Sequence, residues 1–139
     1  DISIITEQVR IALSRTITDM YKDASGKINM LMLDTPLEQT ILTRLNENTQ
    51  AMHLGLGSDE ISGLIDETKN QVNNLLNMGI SPAIIIVDPM IRKQISDIYE
   101  KFGLNLVILS HAEIDKNVNF EVMGKIALQT ENNGDEMFG

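Results

Sequence analysis

The chain has no cysteine and no tryptophan, and its 139 residues include only three prolines and 4% aromatics. Without thiols neither a disulfide framework nor a thiolate metal site can form, and a reducing compartment is the natural setting. Positive charge is scarce as well: 11 Lys and Arg face 20 Asp and Glu, for a formal net charge of -9. Such a field repels nucleic-acid phosphates and anionic lipid headgroups, which argues against DNA, RNA and membrane-surface binding. No apolar run approaches the roughly 20 residues that a membrane helix needs. Asp1 is no initiator and no basic residue precedes Ile2 to Ile5, so no signal peptide is expected and the sequence reads as a piece of something longer. One core, or a little more, is what this length supports.

What is present is organised around residues 79–109. Ala83 to Val87 is an unbroken apolar run between turn residues, the pattern of a strand buried on both faces. Asp88 and Pro89 mark a helix start, Asp88 as cap and Pro89 at the first helical position. Ile91, Ile95, Ile98, Tyr99 and Phe102 make one apolar stripe, and Gly103 stands where a left-handed C-terminal residue is wanted. Leu104 to Leu109 follows as a second strand. Such a crossover makes the two strands parallel with the helix on one face.

Upstream, the pattern from Thr6 to about Tyr21 is helical, with Ile5, Val9, Ala12, Leu13, Ile17 and Met20 in one sector of roughly 120°. Ile4 and Ile11 fall outside it, so this helix is expected to pack on two sides. The face with Ile4, Ile11 and Arg15 is expected to meet a part of the parent protein absent from this sequence. After the turn at Asp23 to Gly26, Ile28 to Leu33 reads as a short buried strand. Thr35, Pro36 and Glu38 have the register of a capping box before a helix striped by Leu37, Ile41 and Leu45. Residues 46–57 lose periodicity and read as an exposed loop. Ser58 opens another helix, with Asp59 and Glu60 in its first turn and Ile61, Leu64, Ile65, Val72, Leu75 and Leu76 facing inward, and Gly79 ends it. Ser110 to Glu113 has the spacing of a second capping box, enough for one turn, and 115–117 turns the chain.

Val118, Phe120, Val122, Ile126 and Leu128 then alternate with polar neighbours, interrupted only at Met123-Gly124. This reads as an edge strand, most simply antiparallel to its neighbour because so few residues join it to Leu109. The tail from Gln129 is polar and acidic, with only Met137 and Phe138 apolar. The fold class expected is α/β (α+β): a four-stranded mixed sheet flanked by helices, preceded by one helix from a neighbouring subdomain. The corresponding divisions are residues 1–24 as that helix, 25–128 as the α/β subdomain and 129–139 as an acidic flexible tail.

Candidate chemistry is sparse. Asp34, Asp88 and Ser110 each follow a strand and precede a helix start, so parallel strands would set all three on the carboxyl edge of the sheet, where open α/β folds bind ligands. Two carboxylates there could hold Mg²⁺, which makes a small ligand- or nucleotide-binding module using Asp34 and Asp88 the alternative reading. Each residue also has an ordinary role at a helix cap, and the segments D-T-P-L-E, D-P-M-I-R and S-H-A-E-I contain no glycine-rich phosphate loop. His53 and His111 have no partner at metal spacing, His53 reads as a loop residue, and Ser110-His111 is no nucleophile and base pair. Arg92-Lys93 reads as a solvated basic pair, and most of the eight methionines as core filler. No catalytic, cofactor or metal residue is assigned.

Three segments in order carry a resemblance: V-R-I-A-L-S-R-T-I at Val9 to Ile17, L-D-T-P-L-E at Leu33 to Glu38, and the sweep from S-P-A-I-I-I-V to L-V-I-L-S-H-A-E-I ending at Ile114. Together they resemble the C-terminal cytoplasmic domain of the FlhA / type III secretion export-gate family, with L-S-H-A-E-I leaning to the flagellar branch. The resemblance implies a parent with N-terminal membrane helices and a cytoplasmic part of four subdomains in a nine-membered ring, of which this chain is the last helix of the third subdomain and the fourth. It implies no enzyme and no cofactor. The implied partners are export chaperone–substrate complexes, a stalk component of the export ATPase and other copies of the parent, with location on the cytoplasmic side of the inner membrane. Arg10 and Arg15 match basic positions of the family's helix, which implies salt bridging between subdomains.

Overall fold

A computed structural model describes residues 2–47, 55–114 and 117–128. The sheet comes first in the logic of the fold. β1 (Lys27–Leu33), β2 (Ile84–Val87), β3 (Val107–Ser110) and β4 (Asn119–Ile126) lie in the order β3-β2-β1-β4. All three pairings are parallel. β2 is buried along its whole length, as its β-branched run requires of a central strand.

The helices are α1 (Ile2–Ala12), α2 (Ser14–Met20), α3 (Thr35–Glu47), α4 (Ser58–Asn77) and α5 (Arg92–Lys101). The connections from β1 to β2 and from β2 to β3 advance in one direction, so right-handed crossovers put α3, α4 and α5 on one face. There Leu37, Ile41, Ile61, Leu64, Ile65, Leu75, Ile95, Ile98 and Tyr99 pack on Leu31, Leu33, Ile85, Val87, Ile108 and Ile126. The opposite face carries a smaller core of Ile28, Met30, Ile84, Ile86 and Leu109, covered by Ile17 and Tyr21 from α2 and by Ile114 and Val118.

An α/β fold with a four-stranded sheet flanked by helices and led by an N-terminal helix is therefore present. The last strand corrects the sequence reading. β4 is an edge strand, but it pairs with β1 rather than beside Leu109, and it runs parallel rather than antiparallel. The short link after β3 reverses the direction of travel across the sheet, so it crosses the second face, where Ile114 and Val118 give it apolar cover. The break in alternation at Met123-Gly124 is a register shift: Met30 faces Val122 and Leu31 faces Gly124, leaving Met123 unmatched. At Gly124 the partners approach closely: a Cβ there would lie 2.5 Å from Gln71 Oε1 and 3.3 Å from Leu31 Cδ2, so both side chains would have to shift to admit one.

Caps differ by a residue or more from the sequence reading. α3 is capped by Asp34, whose Oδ1 accepts from Leu37 N at 2.9 Å, rather than by Thr35. Glu38, free of the expected capping box, instead accepts from Asp88 N at 2.9 Å across the top of the sheet. After β2, Asp88 to Ile91 forms a turn, with Ile91 N donating to Asp88 O, and α5 begins at Arg92. Gly103, at φ +76°, closes α5 as expected.

Two further corrections concern burial and a third the first helix. Leu76, beside the buried Leu75 in the last turn of α4, and Phe102, which follows the end of α5, are exposed rather than inward. Of the methionines, Met30 is core, but Met20, Met78 and Met90 are exposed. The opening helical segment is two helices broken at Leu13, whose ψ of 13° departs from helical geometry. Most of the 46–57 loop, with His53, lies outside the described residues, as do 115–116 and the acidic tail from 129.

Candidate functional site

Parallel strands do set Asp34, Asp88 and Ser110 along one edge. Their polar groups, however, serve the backbone or stay buried. Asp34 Oδ1 holds Leu37 N, and Asp88 Oδ1 accepts from Met90 N at 2.8 Å. Ser110 is fully buried. A hollow of about 330 Å³ at this edge is lined by Asp34, Pro36, Leu37, Thr40, Arg44, Glu60 and Leu128, with neither Asp88 nor Ser110 in it. Among the described residues, no group of three or more His, Asp or Glu could hold a metal ion. Arg44 instead bridges Glu60 Oε1 at 2.6 Å and Gly55 O at 3.1 Å, and its hydrogen bond, followed by that from Gly57 N, holds the Glu60 carboxyl below the usual range.

The site that the fold does assemble lies where α1 and α2 meet the end of β3. Glu113, in the 3-10 turn His111–Glu113 that follows β3, is fully buried. Its Oε1 accepts from Ser110 N at 2.9 Å, the carboxylate half of the expected capping box. Its Oε2 lies 2.9 Å from the Arg10 guanidinium, and Arg92 Nε lies 3.8 Å from Oε1. Arg92, only 9% exposed, donates from Nε to Glu7 Oε1 at 2.7 Å. Arg10 also reaches Ile108 O at 3.5 Å, and Thr18 Oγ1 donates to Glu113 O at 3.3 Å. Two carboxylates and two guanidiniums thus neutralise one another in a partly dry seam. Buried charge persists only when paired in this way.

Arg10, expected to act in salt bridging, is therefore brought to Glu113. Ile4 and Ile11 are 59% and 42% exposed and flank Glu7 on α1, three residues before it and four after it. The Arg15 side chain lies outside the described residues. The stripe that sequence periodicity turned inward is corrected: Ile5, Val9 and Leu13 are exposed, and α1 faces the protein with Glu7 and Arg10. Sequence reasoning missed Glu7, Arg92 and Thr18, and it placed Arg92 in a solvated pair. Only Lys93 fits that description, bonding Asp97 at 3.1 Å. The signal available was Glu113, singled out as a cap residue next to a strand end where a second carboxylate-seeking group had to come from elsewhere in the chain.

Fold and seam together define an α/β domain whose helices pack on the sheet through apolar cores, with α1 tied on by buried charge. The FHIPEP family profile matches residues 1–119, and the chain belongs to that family. It is 41% identical over 126 residues to the flagellar biosynthesis protein FlhA of Helicobacter pylori (strain J99), covering 91% of this chain and 17% of that protein. It is 23% identical over 128 residues to the low calcium response locus protein D of Yersinia pestis, covering 92% of this chain and 18% of that protein. The chain therefore spans less than a fifth of the curated relatives it matches. Among solved structures, the CdsV protein of Chlamydia pneumoniae superposes with a TM-score of 0.76 at 19% identity, over 92% of this chain and 36% of that one. The nonameric SctV-C of EPEC superposes at 0.66 and 21%, over 91% and 37%. CdsV has also been solved in complex with CdsO, at a TM-score of 0.72 and 18% identity over 89% and 36%. These likenesses establish the fold.

Proposed function

We propose that the chain is a non-catalytic protein-docking part of the cytoplasmic ring of a flagellar type III protein export gate, receiving export chaperone–substrate complexes and the export ATPase stalk. The observation that carries the reading is the 41% identity to a flagellar FlhA across almost the whole chain, against 23% to the Yersinia protein. The nonameric state of SctV-C and the CdsV–CdsO complex support ring assembly and a partner docked on this fold. The acidic balance suits basic partners. In this reading the parent is an integral inner-membrane protein and this part lies on its cytoplasmic side. Among the described residues no helix is long and apolar enough to cross a membrane.

The same proposal divides the chain: residues 1–24 belong to the preceding helical subdomain, 25–128 are the docking unit and 129–139 an acidic tail. Ile4 and Ile11 then face that subdomain, and Arg10 and Arg15 make contacts between subdomains. What supports the division is a first helix tied to the α/β unit through Glu7 and Arg10 while its apolar residues, Ile4 and Ile11 among them, stay exposed. The alternative of a ligand module at Asp34 and Asp88 has both carboxylates already bound to backbone amides.

A chimera tests the reading. Substituting this chain for the matching segment of the Helicobacter pylori protein should keep cells motile, whereas deleting the segment should leave the protein in the membrane and stop filament export. A chimera that reaches the membrane at normal level yet exports nothing would count against a flagellar assignment.

A further inference from the structure

α1 and α2 are continuous in sequence but are attached to the rest of the protein in different ways. α2 places Ile17 and Tyr21 on the second face of the sheet and buries Thr18 completely. In α1 and at the break, Ile2, Ile4, Ile5, Val9, Ile11 and Leu13 are all between 42% and 81% exposed. Among the described residues, its hydrogen bonds and ion pairs to the protein beyond α2 run through two charged side chains: Glu7 to Arg92, and Arg10 to Glu113 and to Ile108 O. Between the two helices stands Leu13, whose N–H is shared between Val9 O at 3.1 Å and Arg10 O at 3.2 Å.

We propose that the Glu7–Arg92–Glu113–Arg10 network is a latch that fixes the direction of α1, with Leu13 as its pivot and α2 as the fixed side. Three features make it a device rather than ordinary packing. Apolar burial is non-directional and resists any separation, whereas paired charges with defined partners have a closed state and an open one. The partners come from both sides of the joint: Glu7 and Arg10 ride on α1, while Arg92 begins α5 and Glu113 follows β3. Opening the α1 side leaves Arg92 and Glu113 still 3.8 Å apart, each with the other as counter-charge, so the sheet side does not lose its compensation when α1 leaves. The outer apolar surface of α1 would turn with it, moving whatever covers that surface relative to the α/β unit. The latch follows from these contacts alone and stands whether or not the export-gate reading holds.

The absence of cysteine gives a clean background for paired spin labels. Labels at Gln8→Cys on α1 and Lys69→Cys on α4 report the latch, and labels at Thr16→Cys and Lys69→Cys report the fixed side; all three positions are exposed. In the 139-residue chain, Glu7→Gln with Arg10→Gln is expected to shift or broaden the 8–69 distance distribution and leave the 16–69 distribution as it was. Amide protection within α1, followed by hydrogen exchange, should fall by less than about tenfold, because the helix turns without melting. The proposal is overturned if both distances move together, if neither moves in the double variant, or if α1 amides lose protection altogether.

Discussion

α1 and α2 come from one apolar-patterned stretch, yet one is held by charge and the other by carbon. In α2, Ile17 and Tyr21 lie against Ile28, Met30, Ile84 and Ile86, and the polar Thr18 finds Glu113 O. In α1 the order is reversed, with Glu7 and Arg10 inward and Ile2, Ile5 and Val9 outward. Helical periodicity says which residues share a face. It does not say which face the protein keeps for itself, and here the two neighbouring helices answer oppositely.

The sharpest way to break the charged side is to remove its buried acid. Glu113→Ala takes the counter-charge from Arg10 and the acceptor from Ser110 N, and leaves Arg92 with Glu7 alone. We expect a loss of about 3 kcal/mol in urea unfolding, towards the low end for a broken buried pair because Arg10 is partly exposed. A loss below about 1 kcal/mol would mean that the seam is ordinary surface pairing.

The next effect comes from the opposite face, where a neutral polar contact does the joining. Thr68 Oγ1 lies 2.7 Å from Tyr99 Oη and also donates to Leu64 O, so the phenol is buried between α4 and α5. Burial pushes the Tyr99 phenol up from 10.0 to about 12. A raised folded value means the neutral form is favoured by folding. That stability is whole below pH 10 and is lost as the unfolded chain ionises first between 10 and 12. The loss should be on the order of 2 kcal/mol, read as a fall in the urea midpoint across that window together with late tyrosinate absorbance. An exposed contrast is Asp23, lowered from 3.8 to about 2, first by the Ser25 hydroxyl and then by Lys27 N. Its contribution is present above 3.8 and disappears as pH falls towards 2, and solvent screening keeps it small.

What the sequence made legible follows the range of each interaction. β2, the glycine stop at Gly103, the first turn of α4 and the 3-10 turn were readable because each depends on residues a few positions apart. The direction of β4 was not, because its partner β1 lies some ninety residues upstream and local chain length favoured the nearer strand. The seam was hidden for the same reason: the Arg92 bond to Glu7 spans 85 positions. A buried arginine is written like an exposed one until its acid is found. Asp34 and Asp88 were placed on the correct edge, but the cap of α3 was read one residue late, at Thr35, where the acceptor for Leu37 N is Asp34.

The two helices can finally be set against each other by removing carbon from each. Ile17→Ala deletes partly buried methyl groups over the second core and should cost about 1–2 kcal/mol, less than a fully buried isoleucine because α2 covers the sheet from outside. Ile5→Ser deletes a comparable side chain that solvent already reaches, so in this chain it should change stability by less than about 0.5 kcal/mol. The expected order is reversed if the Ile5 surface is covered by another copy of the chain in solution. Ile5→Ser would then be the costlier change, its cost would grow with protein concentration, and sedimentation would show a dimer that the substitution dissolves. Equal and small costs for both substitutions would instead show that α2 is no better anchored than α1, and that apolar contact is not what distinguishes them.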